Sequence, residues 1–186
     1  MKPYERGLIV GRFQIFHKGH EQIVRTALKL CSKVLILIGS SQESGTEKNP
    51  LSYEQRRDMI LAVFGASADR GRLIIAPLPD IGVGNVPAWG RYVLSKAREA
   101  LGDAPDLLVS GREERRLGWF DGCEENVSEL YLPKTVDISA SQMREWLISG
   151  DSASWRQYSP SALKGRFRAL REAVAAAEGN DVTASL

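Results

Sequence analysis

Both histidines of the 186-residue chain lie in one stretch, Gly11-Arg12-Phe13-Gln14-Ile15-Phe16-His17-Lys18-Gly19-His20, three residues apart and just after an apolar run. If a helix starts near Lys18, His17 and His20 sit one turn apart on the same face and reach the same group. Gly19 between them presents no side chain, so a phosphate ester could come close to the backbone. The free N–H groups of a helix start, and the positive end of the helix dipole, favour such an anion. The alternative is an ordinary pair of polar residues at the beginning of a helix.

A second segment, Ile138-Ser139-Ala140-Ser141-Gln142-Met143-Arg144, has the grammar of another helix start. Ser139 and Gln142 form a capping-box pattern, with Ile138 and Met143 at staple positions. Read for chemistry, Ser139, Ser141 and the first N–H groups could hold phosphate oxygens. Arg144 would add a planar fork of donors and a permanent charge. Read for structure alone, the segment is a well-capped helix with an exposed arginine.

Both segments need a frame that brings them together. Leu8-Ile9-Val10 is a short apolar run, and Ile23, Val24, Ala27 and Leu28 recur at helical spacing, so the first segment reads as a strand-to-helix turn. Alternating patterns place strands near 7–12, 34–39, 72–76, 106–110 and 128–132, and helices near 18–31, 52–65, 87–101, 139–149 and 160–178. Ser159-Pro160 reads as the N-cap and first turn of the last helix, and Gly179 as its stop. The expected fold class is α/β: one Rossmann-like domain over residues 1–178, a parallel sheet with helices on both faces, and a frayed tail at 179–186. Open sheets of this kind bind ligands at the carboxyl ends of their strands. The stretch from Ser40 to Pro50 reads either as a mobile loop over that edge or as a solvated surface loop.

Taken together, Gly-Arg-Phe-Gln-x-Phe-His-x-Gly-His and Ile-Ser-x-Ser-x-x-Arg resemble the HxGH nucleotidyltransferases, and among them the archaeal-type nicotinamide mononucleotide adenylyltransferases. The likeness continues through Gly39-Ser40-Ser41-Gln42, Asn49-Pro50, Arg56, Met59-Ile60, Pro79-Asp80-Ile81, Trp89, Val109-Ser110, Arg116-Leu117, Gly150-Asp151, Trp155 and Ser159-Pro160, so it covers nearly the whole chain. Ile15 stands where that family usually has proline, Leu51 where it has phenylalanine, and Ser141 where threonine is common. None of these departures removes a donor to phosphate.

The resemblance implies a single nucleotidyltransferase domain that joins nicotinamide mononucleotide to the adenylyl group of ATP, giving NAD and pyrophosphate. It implies catalytic roles for His17, His20 and Arg144, with Arg144 on the β- and γ-phosphates. ATP-binding positions would be Gly11, Phe13, Gln14, Gly19, Ser110, Ser139 and Ser141. The accepting mononucleotide would meet Arg12, Lys48, Asp80, Asn85 and Trp89. The chemistry suits these residue types. A phosphate monoester is already anionic near neutral pH, so positioning and charge stabilisation matter and no carboxylate pair is required. Mg²⁺ would be held mainly by the ATP phosphates, with no metal ligand assigned in the chain. Trp89 suits stacking on a pyridinium ring, and a tryptophan packed in the core is its structural alternative. Trp119, Trp146 and Trp155 read as core or edge residues.

Composition bounds the other classes. At 43% hydrophobic, the chain buries one substantial core, and 25 basic against 23 acidic residues leave a net charge of +2, which argues against a polyanionic partner. Lys164, Arg166, Arg168 and Arg171 alternate with apolar residues and read as a solvated helix face, so no nucleic acid is expected. Two cysteines without a Cys-x-x-Cys pair argue against a zinc or disulfide scaffold, and Cys31 reads as core. No leader pattern is visible and no apolar run nears the roughly 18 residues that span a bilayer, which predicts a cytoplasmic protein without membrane contact. The family resemblance implies a homo-oligomer. Arg112-Glu113-Glu114 only loosely resembles part of a pyrophosphohydrolase box, and no second activity is expected. Two other classes stay open: a different HxGH transferase, acting on pantetheine phosphate or making a CDP-alcohol, and a nucleotide sensor without turnover. Gly11-Arg12-Phe13-Gln14 counts against the first, whose members usually open Gly-Thr-Phe-Asp, and the full set His17, His20 and Arg144 against the second.

Overall fold

A computed structural model describes residues 1–82, 87–111 and 118–184. Its elements run β1 (Tyr4–Gly11), α1 (Lys18–Leu30), β2 (Cys31–Gly39), α2 (Tyr53–Asp69), β3 (Leu73–Leu78), α3 (Pro87–Leu101), β4 (Leu107–Ser110), β5 (Ser128–Tyr131), α4 (Ala140–Ser149), α5 (Ser152–Tyr158), a 3₁₀ turn (Ser161–Arg166) and α6 (Phe167–Ala184). The five strands form one parallel sheet in the order β3-β2-β1-β4-β5. The chain builds outward from β1 through β2 to β3, then returns to the other side of β1 with β4. That reversal opens a crevice at the carboxyl ends of β1 and β4, where α/β sheets bind ligands.

A parallel sheet covered on both faces needs strands that are apolar on both faces, and β2 shows how this works. Val34, Ile36 and Ile38 enter a core with residues of α1, α2, α4, α5 and α6, whereas Leu35 and Leu37 enter a second core with Trp89, Val93, Leu94 and Ala97 of α3. Helices cover both faces as expected, but unequally, since α3 is the main cover of the second. Cys31 is fully buried at the start of β2.

The expectations at both ends of the last helix change. The predicted helix at 160–178 is broken: Ser159 closes the short helix α5, Pro160 (φ −53°, ψ 147°) leads into the 3₁₀ turn, and α6 starts only at Phe167. Ser159 is buried and does not cap the later helix. Gly179 does not stop α6, which runs on to Ala184. The loop at 40–50 is closed on itself: the Gly45 and Thr46 N–H groups donate to Pro50 and Asn49 carbonyls, and buried Asn49 donates to the Glu43 carboxylate.

Candidate functional site

The turn after β1 delivers His17 as the N-cap of α1. Its backbone is extended (φ −138°, ψ 174°), and its Nδ1 accepts the N–H groups of Gly19 (3.1 Å) and His20 (3.4 Å). A histidine thus does the capping usually given to Ser or Asp. Two consequences follow. The N–H groups that the sequence offers to an anion are already satisfied by the ring, and accepting at Nδ1 puts the proton of the neutral ring on Nε2, which is then a donor. Gly19 also has a more specific role than expected, because a Cβ there would lie 3.0 Å from the His17 ring. The glycine makes room for the cap.

His20 follows one turn later and stacks on His17, with ring centroids 3.8 Å apart and planes 22° off parallel. Phe13 meets His20 edge-on at 4.9 Å, and Phe16 lies at 5.5 Å. Burial, with the Lys134 charge adding to it, lowers the His17 pKa to about 4. Burial first, and then His17, hold the His20 pKa well below its ordinary value, although a bond to the Ile15 backbone opposes this. Both rings are therefore neutral at pH 7. The Nδ1 of His20 is buried without a hydrogen-bond partner, a cost that a polar group of a ligand could relieve.

The second segment closes the other wall. Ser139 and Gln142 form the expected capping box of α4, in which Ser139 Oγ accepts the Gln142 N–H at 3.2 Å and Gln142 Oε1 accepts the Ser139 N–H at 2.9 Å. The helix supplies no acceptor for the N–H groups of Ala140 and Ser141, both of which line the cavity. Arg144 donates to the Gln14 carbonyl and to Ser141 Oγ (3.2 Å), tying the two segments together. Its pKa falls through burial and then through the nearby Arg12 charge.

Arg56 lies beneath them, fully buried. Its guanidinium donates to the carbonyls of Gly39 (2.8 Å), Arg12 (3.0 Å), Ser40 (3.1 Å) and Ser52 (3.1 Å). This one side chain gathers the carboxyl ends of β1 and β2 and the start of α2. Gln14 lines the cavity, but its amide is committed at both ends to the Leu51 backbone, at 2.8 and 3.0 Å. These two bonds fasten the turn after β1 to the chain just before α2 and leave the amide a second N–H.

Together these residues surround a cavity of about 790 Å³. Gly11, Arg12, Phe13, Gly19, Asp80, Trp89 and Ser110 all line it. Lys48 does not: it is exposed on the 40–50 loop, outside the lining. Asn85, Arg116 and Leu117 lie outside the described residues. Trp89 is both core and wall, since it packs on Tyr92 at 5.5 Å and Trp119 at 6.3 Å while reaching the cavity.

Sequence reasoning missed Trp119 and Lys134, which also line the cavity. A signal for Trp119 exists in Gly90. A Cβ at that helical position would fall 1.5 Å from the Trp119 carbonyl oxygen, so α3 and the Trp119 backbone touch only because Gly90 has no side chain. Lys134 follows the carboxyl end of β5, the edge of the sheet where ligands bind.

A parallel sheet reversing at β1 thus brings a histidine-capped helix and an arginine-bearing capped helix to one cavity. The Cytidylyltransferase-like family model matches residues 8–72. A curated nicotinamide-nucleotide adenylyltransferase of Pyrococcus horikoshii is 39% identical over 159 residues, 85% of this chain and 80% of that protein. One from Saccharolobus solfataricus is 42% identical over 89 residues, 47% of this chain and 51% of that protein. Among solved structures, a bifunctional NMN adenylyltransferase/ADP ribose pyrophosphatase from Francisella tularensis, complexed with AMP and a manganese ion, shares the fold at a TM-score of 0.72 and 22% identity. That match covers 97% of this chain, which spans about half (54%) of the Francisella chain. The chain belongs to the nicotinamide-nucleotide adenylyltransferase family.

Proposed function

We propose that the cavity joins ATP and nicotinamide mononucleotide by in-line adenylyl transfer. A phosphate oxygen of the mononucleotide attacks the α-phosphorus of ATP, the bond from the α-phosphorus to the oxygen bridging the β-phosphate breaks, and pyrophosphate departs with the electron pair as NAD forms. The nucleophile is anionic near neutral pH, so the chain need not remove a proton. What it must do is hold two anions in line and stabilise the charge that develops between them.

The observation that carries this reading is the pair of neutral, stacked histidines beside Arg12 and Arg144. His17 donates Nε2–H to the ATP phosphates, and His20 lies against the same group. Arg144 grips the β- and γ-phosphates, with Ser141 and the first N–H groups of α4. Gly11, Phe13, Gly19, Ser110 and Ser139 shape the ATP side. Arg12 meets the acceptor's phosphate, Asp80 a ribose hydroxyl, and Trp89 the pyridinium face. Among the described residues no group of three or more His, Cys, Asp or Glu is placed to hold a metal. The donors around the cavity suit a cation carried by phosphate and water, Mg²⁺ in this reading, which would offset phosphate charge. The reading includes a homo-oligomer working in the cytoplasm. No helix among the described residues is long and apolar enough to cross a membrane.

The stereochemistry tests the route. ATP made chiral at the α-phosphorus should give NAD with inverted configuration, and retention would contradict a single in-line displacement.

A further inference from the structure

Neutral histidines leave the positive charge of the cavity to other side chains. Among the described residues lining it, these are Arg12, Arg144 and Lys134, opposed by Asp80. Lys134 stands apart from the two arginines. It lies in the loop between β5 and α4, close enough to His17 for its charge to act on that ring. In the structure its ammonium group is paired with Asp137 at 2.5 Å.

We propose that Lys134 is a further phosphate-binding residue, which exchanges the Asp137 carboxylate for triphosphate oxygens when ATP binds. The inference rests on the adenylyl-transfer reading of this cavity. The Asp137 side chain is 91% exposed and that of Lys134 44%, and an ion pair so open to water contributes little to stability. A polyphosphate offers more negative charge, in a crevice partly closed to solvent, so the exchange runs toward the nucleotide. The His17 ring and the Lys134 ammonium, both on the cavity wall, would then share one anion, the ring as a neutral directional donor and the lysine as a mobile charge.

ATP binding to the full chain, measured by titration calorimetry with Mg²⁺ present, tests this. Lys134→Met should weaken ATP binding about tenfold or more, as expected for losing a hydrogen bond to a charged group, while Lys134→Arg stays near wild type. Asp137→Asn should tighten ATP binding by roughly two- to fivefold, and this gain should vanish in the Lys134→Met background, because Asp137 acts through Lys134. Lys134→Met binding ATP as tightly as wild type would overturn the proposal. So would an Asp137→Asn gain that survives without the lysine. The readout is ATP affinity and not turnover, so a protein that binds ATP without making NAD would fail the adenylyl-transfer reading alone.

Discussion

His17 caps the helix that carries His20, and the two rings stack 3.8 Å apart. Capping through Nδ1 and burial both favour an unprotonated His17. Its pKa is lowered from 6.5 to about 4, so between those values the unfolded chain binds more protons than the folded one. Stability should therefore be complete above pH 6.5 and decline as the pH falls toward 4, by about 3 kcal/mol for His17 alone. With two histidines in the chain, NMR gives a direct check: neither ring signal should titrate near pH 6.5. His17→Asn keeps a capping acceptor but cannot charge, and its stability should vary less over this range.

Arg144 and His20 should be needed for turnover more than for folding. Arg144→Ala and His20→Ala should each lower kcat/KM by about two to three orders of magnitude, the scale seen when a preorganised donor to developing charge is removed. Arg144→Lys should recover little, because a lysine cannot reproduce the fork that bonds Gln14 and Ser141. Circular dichroism on each variant checks that the fold persists. An intact His20→Ala protein working at full speed would remove His20 from the mechanism.

Arg56 should behave in the opposite way. Its buried guanidinium bonds four carbonyls, so Arg56→Met leaves those acceptors unpaired. A loss of about 3 kcal/mol or more in urea unfolding is expected. Activity should fall with it, because Arg12 and Ser40 lose their common anchor.

Gly90→Ala should be among the most damaging single-methyl changes in the chain. The added carbon would overlap the Trp119 carbonyl at 1.5 Å, forcing α3 or the Trp119 segment to move. Overpacking of this kind costs about 1–3 kcal/mol or more. Thermal unfolding measures the loss, and the KM for the mononucleotide should rise because Trp89 sits beside the displaced residue.

The central frame was legible because its signals are local. The apolar run of β1, the helical spacing after Lys18 and the Ser139–Gln142 capping box each specify structure within a few residues. Helix α5 leaves no signal in the sequence, because seven residues with one buried side chain, Trp155, carry no measurable period. Strand β1 begins at Tyr4, earlier than its apolar run, because Tyr4 and Arg6 pair with Cys31 and Lys33 through the backbone, which sequence patterns do not report. At the site, the residue types were legible and their commitments were not. Gln14 is taken up by Leu51, 37 positions away, and Gly19 serves the His17 ring. Lys48 was expected at the cavity beside Asn49-Pro50, but the loop closes around buried Asn49 and leaves Lys48 in solvent. Lys134 and Trp119 reach the cavity through tertiary packing alone.

The most direct test of the whole account is product formation from ATP and Mg²⁺ with four acceptors offered separately: nicotinamide mononucleotide, nicotinate mononucleotide, pantetheine phosphate and glycerol phosphate. The account predicts rapid NAD and pyrophosphate formation with nicotinamide mononucleotide, and little product with the two acceptors that lack a pyridine ring for Trp89. Turnover of pantetheine phosphate or glycerol phosphate in preference to the mononucleotide, or ATP binding without pyrophosphate release from any of the four, would contradict it.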